Sequence, residues 1–363
     1  MSSRTDELKV SAPGRICLFG EHQDYLHLPV IPCAISLRIY IQDRRSRKDK
    51  EIHIDLPDIG SEKSFVIQDE VPYDEERDYF KSVLNILQRE KLTFSTGFDC
   101  SVHGSIPINS GTSSSSALIV AWVNFMSRMS DQSAALSPER VAEYAHRAEV
   151  VEFSEPGGMM DHYASAVGGT LYLEFSPQLT VERLPADLKS FVLGDSGEPK
   201  DTKTILARVK NRVIDIVGLL SRQYEDFSLC DVDAEDIPKY SSELDKDQLT
   251  LLDGTVRNYR ITREAREILK KKPLDHCRIG DLLNEHQRIL RDVLKISTLK
   301  IDRMIEAALK AGAYGAKING SGGGGCMFAY APENTEAVAR AVEDEGGRVY
   351  VVSVDRGVAV ETI

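Results

Sequence analysis

The chain has 363 residues, 42% of them apolar and 28% charged, ordinary proportions for a soluble globular protein, and its length suits two domains better than one. With 45 basic and 57 acidic residues its formal charge is −12, which argues against a non-specific nucleic-acid binder. An acidic protein can still hold an anionic nucleotide, but only through local donors: backbone N–H groups, helix ends or a bound cation.

The six cysteines (Cys17, Cys33, Cys100, Cys230, Cys277, Cys326) are scattered without a CxxC pair, so neither a zinc site nor a disulfide framework is indicated. Four of them lie among apolar neighbours and read as small buried hydrophobes. Met1 to Lys9 lacks the apolar core of a signal peptide. No apolar run approaches the roughly 20 residues of a membrane span. A reducing cytoplasm is the expected compartment, with no membrane partner.

Along the chain, β-like runs come first: Leu8–Ala12, Leu37–Gln42, Ile52–Leu56 and Phe65–Ile67, separated by charged or Gly/Pro turns. A helix is expected at Asp78–Arg89, where Tyr79, Val83, Ile86 and Leu87 share a face. A strand at Phe98–Val102 leads into a Gly/Ser stretch and a helix near Ser115–Met129. A second helix should run from Pro138 to about Phe153, with Ser137 as N-cap. Gly168–Phe175 and Phe191–Leu193 read as strands, and Thr202–Lys310 is mainly helical. The end alternates strand (Ala316–Asn319), glycine loop (Gly320–Gly325), strand (Cys326–Tyr330), helix (Glu333–Glu345) and strand (Arg348–Val354). The fold class is therefore α+β, with a boundary near residue 190 dividing 1–190 from 191–363. No internal repeat or low-complexity linker interrupts it.

Four constellations carry chemistry. In SAPGRICLFGEHQDY, Glu21, His22 and Asp24 place three polar side chains within four residues, after an apolar run bracketed by Gly14 and Gly20. Such a turn suits a polyhydroxylated ligand, whose hydroxyls donate to carboxylates; Arg15 is available for charge stabilisation. Taken alone, the cluster is equally a strand-to-turn connection with solvated charges. In GSIPINSGTSSSSALIVA, small residues precede an apolar helix. A helix start leaves N–H groups unpaired, and phosphate is their natural occupant; a serine hydroxyl could also hold a cation bridging the phosphates. No GK[ST] follows, so a P-loop fold is disfavoured.

Glu149 precedes Asp161 by twelve residues, the latter in EPGGMMDHYAS. A carboxylate there can orient or accept a hydroxyl proton, or simply cap a helix. Finally, KINGSGGGGC holds five glycines in six residues between two apolar strands. That entropic cost suggests a backbone lying against a ligand or another loop. An apolar strand follows the loop rather than a helix, so no NAD-binding fold is supported.

In this order, the segments resemble the GHMP kinases, and among them the galactokinases. PGRICLFGEHQDY is similar to that family's sugar-binding signature, PINSGTSSSSALIVA to its nucleotide phosphate loop, EPGGMMDHYAS to its catalytic-Asp motif and KINGSGGGGC to its third, glycine-rich motif. DYFKSVLNIL and LLNEHQRILRDVLKISTLKIDRMIEAAL resemble further helices of the family. The resemblance covers nearly the whole chain and is weakest over 202–271. It implies an N-terminal domain like ribosomal protein S5 domain 2 and a ferredoxin-like C-terminal domain. It also implies ATP as co-substrate, Mg²⁺, and phosphoryl transfer to the anomeric hydroxyl of a monosaccharide by a monomer or weak homodimer.

Residue by residue, the resemblance makes Asp161 the catalytic carboxylate with Arg15 as its partner. Ser115 and Glu149 would hold Mg²⁺. Glu21, His22, Asp24 and Gly158 would grip the sugar. Gly111, Thr112, Ser113, Ser114, Ser115 and Ser116 would wrap the ATP phosphates. Two departures concern the expected sugar pocket. Leu26-His27-Leu28-Pro29 stands where galactokinases usually carry Asn-Gly-Gly-Phe, and His162 where they usually carry Gln, leaving the sugar's identity open. Two alternatives stay beside this reading: a mevalonate-type kinase, and a non-catalytic sugar and ATP sensor. Retention of Arg15, Glu149 and Asp161 opposes the sensor.

Overall fold

The computed structural model describes residues 8–108, 110–199 and 202–361. Met1–Glu7, most of the segment read above as lacking a signal peptide, lies outside the described residues, as does Asn109 of the serine loop.

The first sheet has eight strands: β1 (Lys9–Phe19), β2 (Ile31–Ser46), β3 (Glu51–Leu56), β4 (Ser61–Val66), β5 (Phe98–Gly104), β6 (Thr170–Glu174), β7 (Thr180–Leu184) and a last strand near the end of the chain. The second sheet comprises β8 (Ser190–Asp195), β9 (Gly315–Ile318), β10 (Cys326–Tyr330) and β11 (Arg348–Ser353) in the order β11-β8-β10-β9. That last strand, β12 (Ala359–Glu361), pairs antiparallel with β1. The division expected at residue 190 therefore does not hold for β12, which belongs to the first sheet.

Helices α1 (Tyr79–Arg89), α2 (Ser114–Met129), α3 (Pro138–His146) and α4 (Met160–Val167) lie in the first part. They pack on the first sheet around Val83, Leu87, Trp122 and Phe125, with the Trp122 ring edge-on to Phe80 at 5.1 Å. Helices α5 (Thr202–Gln223), α6 (Lys246–Leu269), α7 (His276–Arg288), α8 (Leu299–Lys310) and α9 (Thr335–Asp344) follow. None among the described residues is long and apolar enough to cross a membrane.

Most elements fall within a few residues of their expected places; β1 and β2 run much longer. Two-sided burial explains the extension of β1: with both faces covered, its buried run continues through the Arg15 motif to Phe19. The helix expected from Pro138 to Phe153 stops at His146 and continues as a π-helical turn, Arg147–Val151. Ser137 caps it as expected, its side chain accepting from the Arg140 N–H. Cys17, Cys33, Cys100 and Cys326 are the four buried cysteines.

The two sheets share an apolar layer. Ile16, Leu18 and Phe19 of β1 meet Phe191 and Leu193 of β8, Phe328 and Tyr330 of β10, and Leu282 of α7. Phe191 and Phe328 cross edge-to-face at 5.9 Å. This layer fixes the distance between the halves, and the site lies where their loops meet. Phe328→Ala should cost about 3–5 kcal/mol of unfolding free energy, read as a lowered midpoint in a denaturant titration; an unchanged midpoint would deny this layer its role.

Candidate active site

The site grows from the end of β1 and three loops around it. Their walls enclose a cavity of about 230 Å³, far above the ~10–15 Å³ that one water needs. It brings together Arg15, Glu21, His22, Asp24, Gly111, Ser113, Ser114, Ser115, Ser116, Glu149, Gly158, Asp161 and His162. Of the expected site residues only Thr112 is absent from its wall. Thr112 is buried, and its carbonyl accepts the Arg15 N–H at 3.1 Å, tying the serine loop to β1.

Arg15 organises the centre. Its Nε donates to Asp161 Oδ1 at 2.7 Å and Nη2 to Oδ2 at 2.9 Å, a two-pronged ion pair. Nη1 donates to the Gly111 carbonyl at 2.6 Å. Ser113, the residue capping α2, adopts φ +59°, and its hydroxyl donates to Asp161 Oδ2 at 2.7 Å. Left-handed backbone at a residue other than glycine persists only where surroundings impose it, often at functional sites. Asp161 is not the N-cap of α4, which is Met159. Burial pushes the Asp161 carboxyl up, but the Arg15 charge, the hydrogen bonds from Arg15 and the Ser113 hydroxyl outweigh it, and the net shift is downward. Asp161 is therefore ionised throughout the neutral range.

Glu21 lines the cavity with protein partners on both carboxylate oxygens. Its Oε2 accepts from Lys317 Nζ at 2.7 Å and its Oε1 from the Gly320 N–H at 3.0 Å. Lys317 is wholly buried; it also donates to the Cys17 carbonyl at 2.9 Å and lies 5.1 Å from the Phe328 ring. Asn319 completes the joint, accepting from Cys17 N–H and donating to the Gly111 carbonyl, both at 2.9 Å. Lys317 and Asn319 were quoted in the sequence but given no role. The signal was present: a lysine inside a short apolar strand must find a counter-charge.

His22 has both nitrogens occupied, Nδ1 by the Tyr25 hydroxyl at 2.8 Å and Nε2 by the Ser321 carbonyl at 3.1 Å. Burial lowers its pKa to about 4, so the ring is neutral at pH 7. Asp24 is the carboxylate that faces the cavity beside Asp161. Gly158 makes room for it, because a Cβ there would sit 1.9 Å from Asp24 Oδ2. Burial first, and then the Asp161 charge, push the Asp24 carboxyl up to about 6, against hydrogen bonds from the Tyr25 and Met160 N–H groups.

The glycine loop turns mainly toward protein. Gly320, at φ +80°, lies against the Gly111 backbone, where a Cβ would meet Gly111 O at 2.8 Å. Gly323 N–H donates to Ile296 O, and Gly325 N–H to Glu198 O. Only Gly320 and Ser321 of this loop reach the cavity.

Among the lining residues that were not anticipated are Arg77 and Glu155, joined by hydrogen bonds of 2.9 and 2.8 Å. Among the described residues, the cationic side chains lining the cavity are Arg15 and Arg77, each forked onto a carboxylate. No group of three or more His, Cys, Asp or Glu there forms a ready metal cage. One carboxylate, Glu149, and the serine hydroxyls that line the same cavity suit Mg²⁺, which takes few protein ligands and completes its shell with phosphate and water.

Family models match three stretches: the GHMP kinase N-terminal domain over 78–169, the GHMP kinase C-terminal domain over 259–348, and the galactokinase galactose-binding signature over 3–44. The mevalonate kinase of Thermococcus sibiricus is 30% identical, with 97% of this chain and 98% of that one covered. The chain belongs to the GHMP kinases. The galactokinase of Haemophilus influenzae is 28% identical over 98% of this chain and 95% of that one. The solved structure of Lactococcus lactis galactokinase complexed with galactose superposes with a TM-score of 0.85 at 22% identity, covering 98% and 95% of the two chains. The family consists of phosphotransferases, and its two-domain fold agrees with the two sheets seen here.

The raised Asp24 pKa has a consequence for stability. The folded state holds this proton up to about pH 6, whereas an unfolded Asp releases it near 3.9. Asp24 thus stabilises the fold below about pH 4, and that stabilisation is lost as the pH rises through 6. Asp24→Asn should therefore gain about 1–2 kcal/mol over the parent at pH 7.5, after discounting for solvent screening at the cavity. The gain should shrink toward zero at pH 4. Thermal melts at the two pH values read this directly; an equal difference at both would remove the cause given.

Proposed function

We propose that this protein is an ATP-dependent sugar kinase that transfers the γ-phosphoryl group to the anomeric hydroxyl of a neutral monosaccharide. The observation that carries the reading is the direct contact of the serine loop with Asp161, through Ser113 and through Arg15. A phosphate on the N–H groups at the start of α2 and a hydroxyl at Asp161 would then occupy one small cavity. Phosphoryl transfer asks mostly for positioning and charge stabilisation.

In this mechanism Gly111 and Ser113–Ser116 bind the ATP phosphates, and Asp161 accepts a hydrogen bond from the acceptor hydroxyl. A carboxylate held below its usual pKa is a weak base, so Asp161 chiefly orients that hydroxyl and takes its proton late. Arg15 keeps Asp161 ionised and offsets charge on the transferred group. Asp24, with Gly158 behind it, holds further sugar hydroxyls; Glu21 and His22 shape that wall more than they grip the ligand. Glu149 and Ser115 would hold Mg²⁺, which when bound neutralises phosphate charge.

The charge pattern supports a neutral polyol. Arg15 and Arg77 are paired with carboxylates, and Asp24 and Glu149 add negative charge to the wall. An acidic substrate would have to break one of those pairs. The galactose-binding signature over 3–44 supports the same reading. A second reading, phosphorylation of mevalonate, draws on the 30% identity to the Thermococcus sibiricus enzyme. An ADP-release screen over free neutral sugars, with mevalonate alongside, separates the two, and phosphorus NMR locates the phosphate. Turnover on mevalonate with none on any sugar would sink the sugar-kinase reading. Asp161→Asn should lower kcat about 10²–10⁴-fold while ATP binding survives; full activity in that variant would remove the role given to Asp161.

A further inference from the structure

The substitution at His162 was expected to bear on the sugar. In the structure its ring also engages Glu149. His162 lies on α4 next to Asp161, and its Nε2 is 2.7 Å from Glu149 Oε2. A carboxylate oxygen only accepts, so Nε2 carries the hydrogen and donates. This is the one hydrogen bond to the Glu149 carboxylate among the described residues. The His162 ring is 2% exposed, and its Nδ1 has no hydrogen-bond partner. Its plane is set from the side by His146, whose ring lies edge-on at 5.3 Å. Glu149 itself stands on the π-helical turn Arg147–Val151, a local irregularity often found at functional sites.

A buried polar ring with one nitrogen unpartnered is costly. Here its other nitrogen is held by the Glu149 carboxylate, which lines the cavity. We infer that His162 is a positioning residue for Glu149: it fixes that carboxylate's rotamer and leaves Oε1 directed to a divalent cation brought in with the nucleotide. The inference rests on the kinase reading above, and specifically on Glu149 as a cation ligand. Groups that orient a metal ligand in this way are typically worth about 10–100-fold in metal affinity. In this chain the choice of His162 thus acts on cation use through Glu149.

The test uses the full chain and no turnover. The affinity for adenylyl-imidodiphosphate is measured by calorimetry with Mg²⁺ and, separately, with EDTA. The parent should bind the analogue more tightly with Mg²⁺. His162→Leu should lose that Mg²⁺-dependent gain by about 10-fold or more and keep its affinity in EDTA. His162→Gln, whose amide can still donate to Glu149, should recover most of the gain. His162→Asn, too short to reach, should not, and it carries the test if the leucine variant does not fold. A full Mg²⁺-dependent gain in His162→Leu or His162→Asn, or a Gln variant as weak as these, would overturn the inference. Glu149→Gln is the control that tells the two levels apart. If it loses the gain while the His162 variants keep it, only the positioning role fails; if it keeps the gain, the cation-ligand reading fails with it.

Discussion

The guanidinium of Arg15 holds two things that must not drift apart: the carboxylate of Asp161 and the carbonyl of Gly111. One rigid, planar group with donors in a fixed fork sets the distance between a helix start and a serine loop that are far apart in sequence. The pair is also mutually required. Without Arg15 the half-buried Asp161 carboxylate would keep the Ser113 hydroxyl but lose the charge that holds its pKa down. Because Arg15 sits on a central strand of a double-sided core, its position is set by packing rather than by loop conformation.

A second polar joint works across the two sheets. Lys317 comes from β9, Glu21 from the turn after β1, and Asn319 binds both Cys17 and Gly111. The apolar layer around Phe191 and Phe328 sets how closely the halves approach; the polar joint sets their register. Buried ion pairs add little net stability but penalise wrong arrangements strongly. That suits a cavity whose two walls arise from opposite ends of the chain.

How much of this could be read from the sequence follows from where each constraint originates. The serine loop, the Asp161 motif and the glycine run were legible because their demands are local: small residues, a helix start, tolerance of positive φ. The partners of Glu21 and His22 were not legible, since Gly320 and Ser321, which engage them, lie 299 residues away. The π-helical turn at Arg147–Val151 was invisible because the apolar spacing runs through it unchanged, and helix type depends on backbone packing. The glycine loop was expected to meet a ligand or another loop. Its excess glycines are accounted for by the backbones of Gly111, Ile296 and Glu198.

The pairing of β12 with β1 has a bearing on how the protein is made. β1 can gain one of its neighbours, Ala359–Glu361, only after the intervening chain, which carries all the other strands, has been synthesised. Arg38 waits as well, since its guanidinium donates to Asp355 at 2.8 Å and to the carbonyls of Arg356 and Gly357 at 3.0 and 2.8 Å. A nascent chain on the ribosome therefore exposes an open sheet edge, and an Arg38 held by Ser11 alone, until Asp355–Glu361 has emerged. The first half is held short of its native state until the last strand docks, so the two halves mature as one cooperative unit rather than in succession.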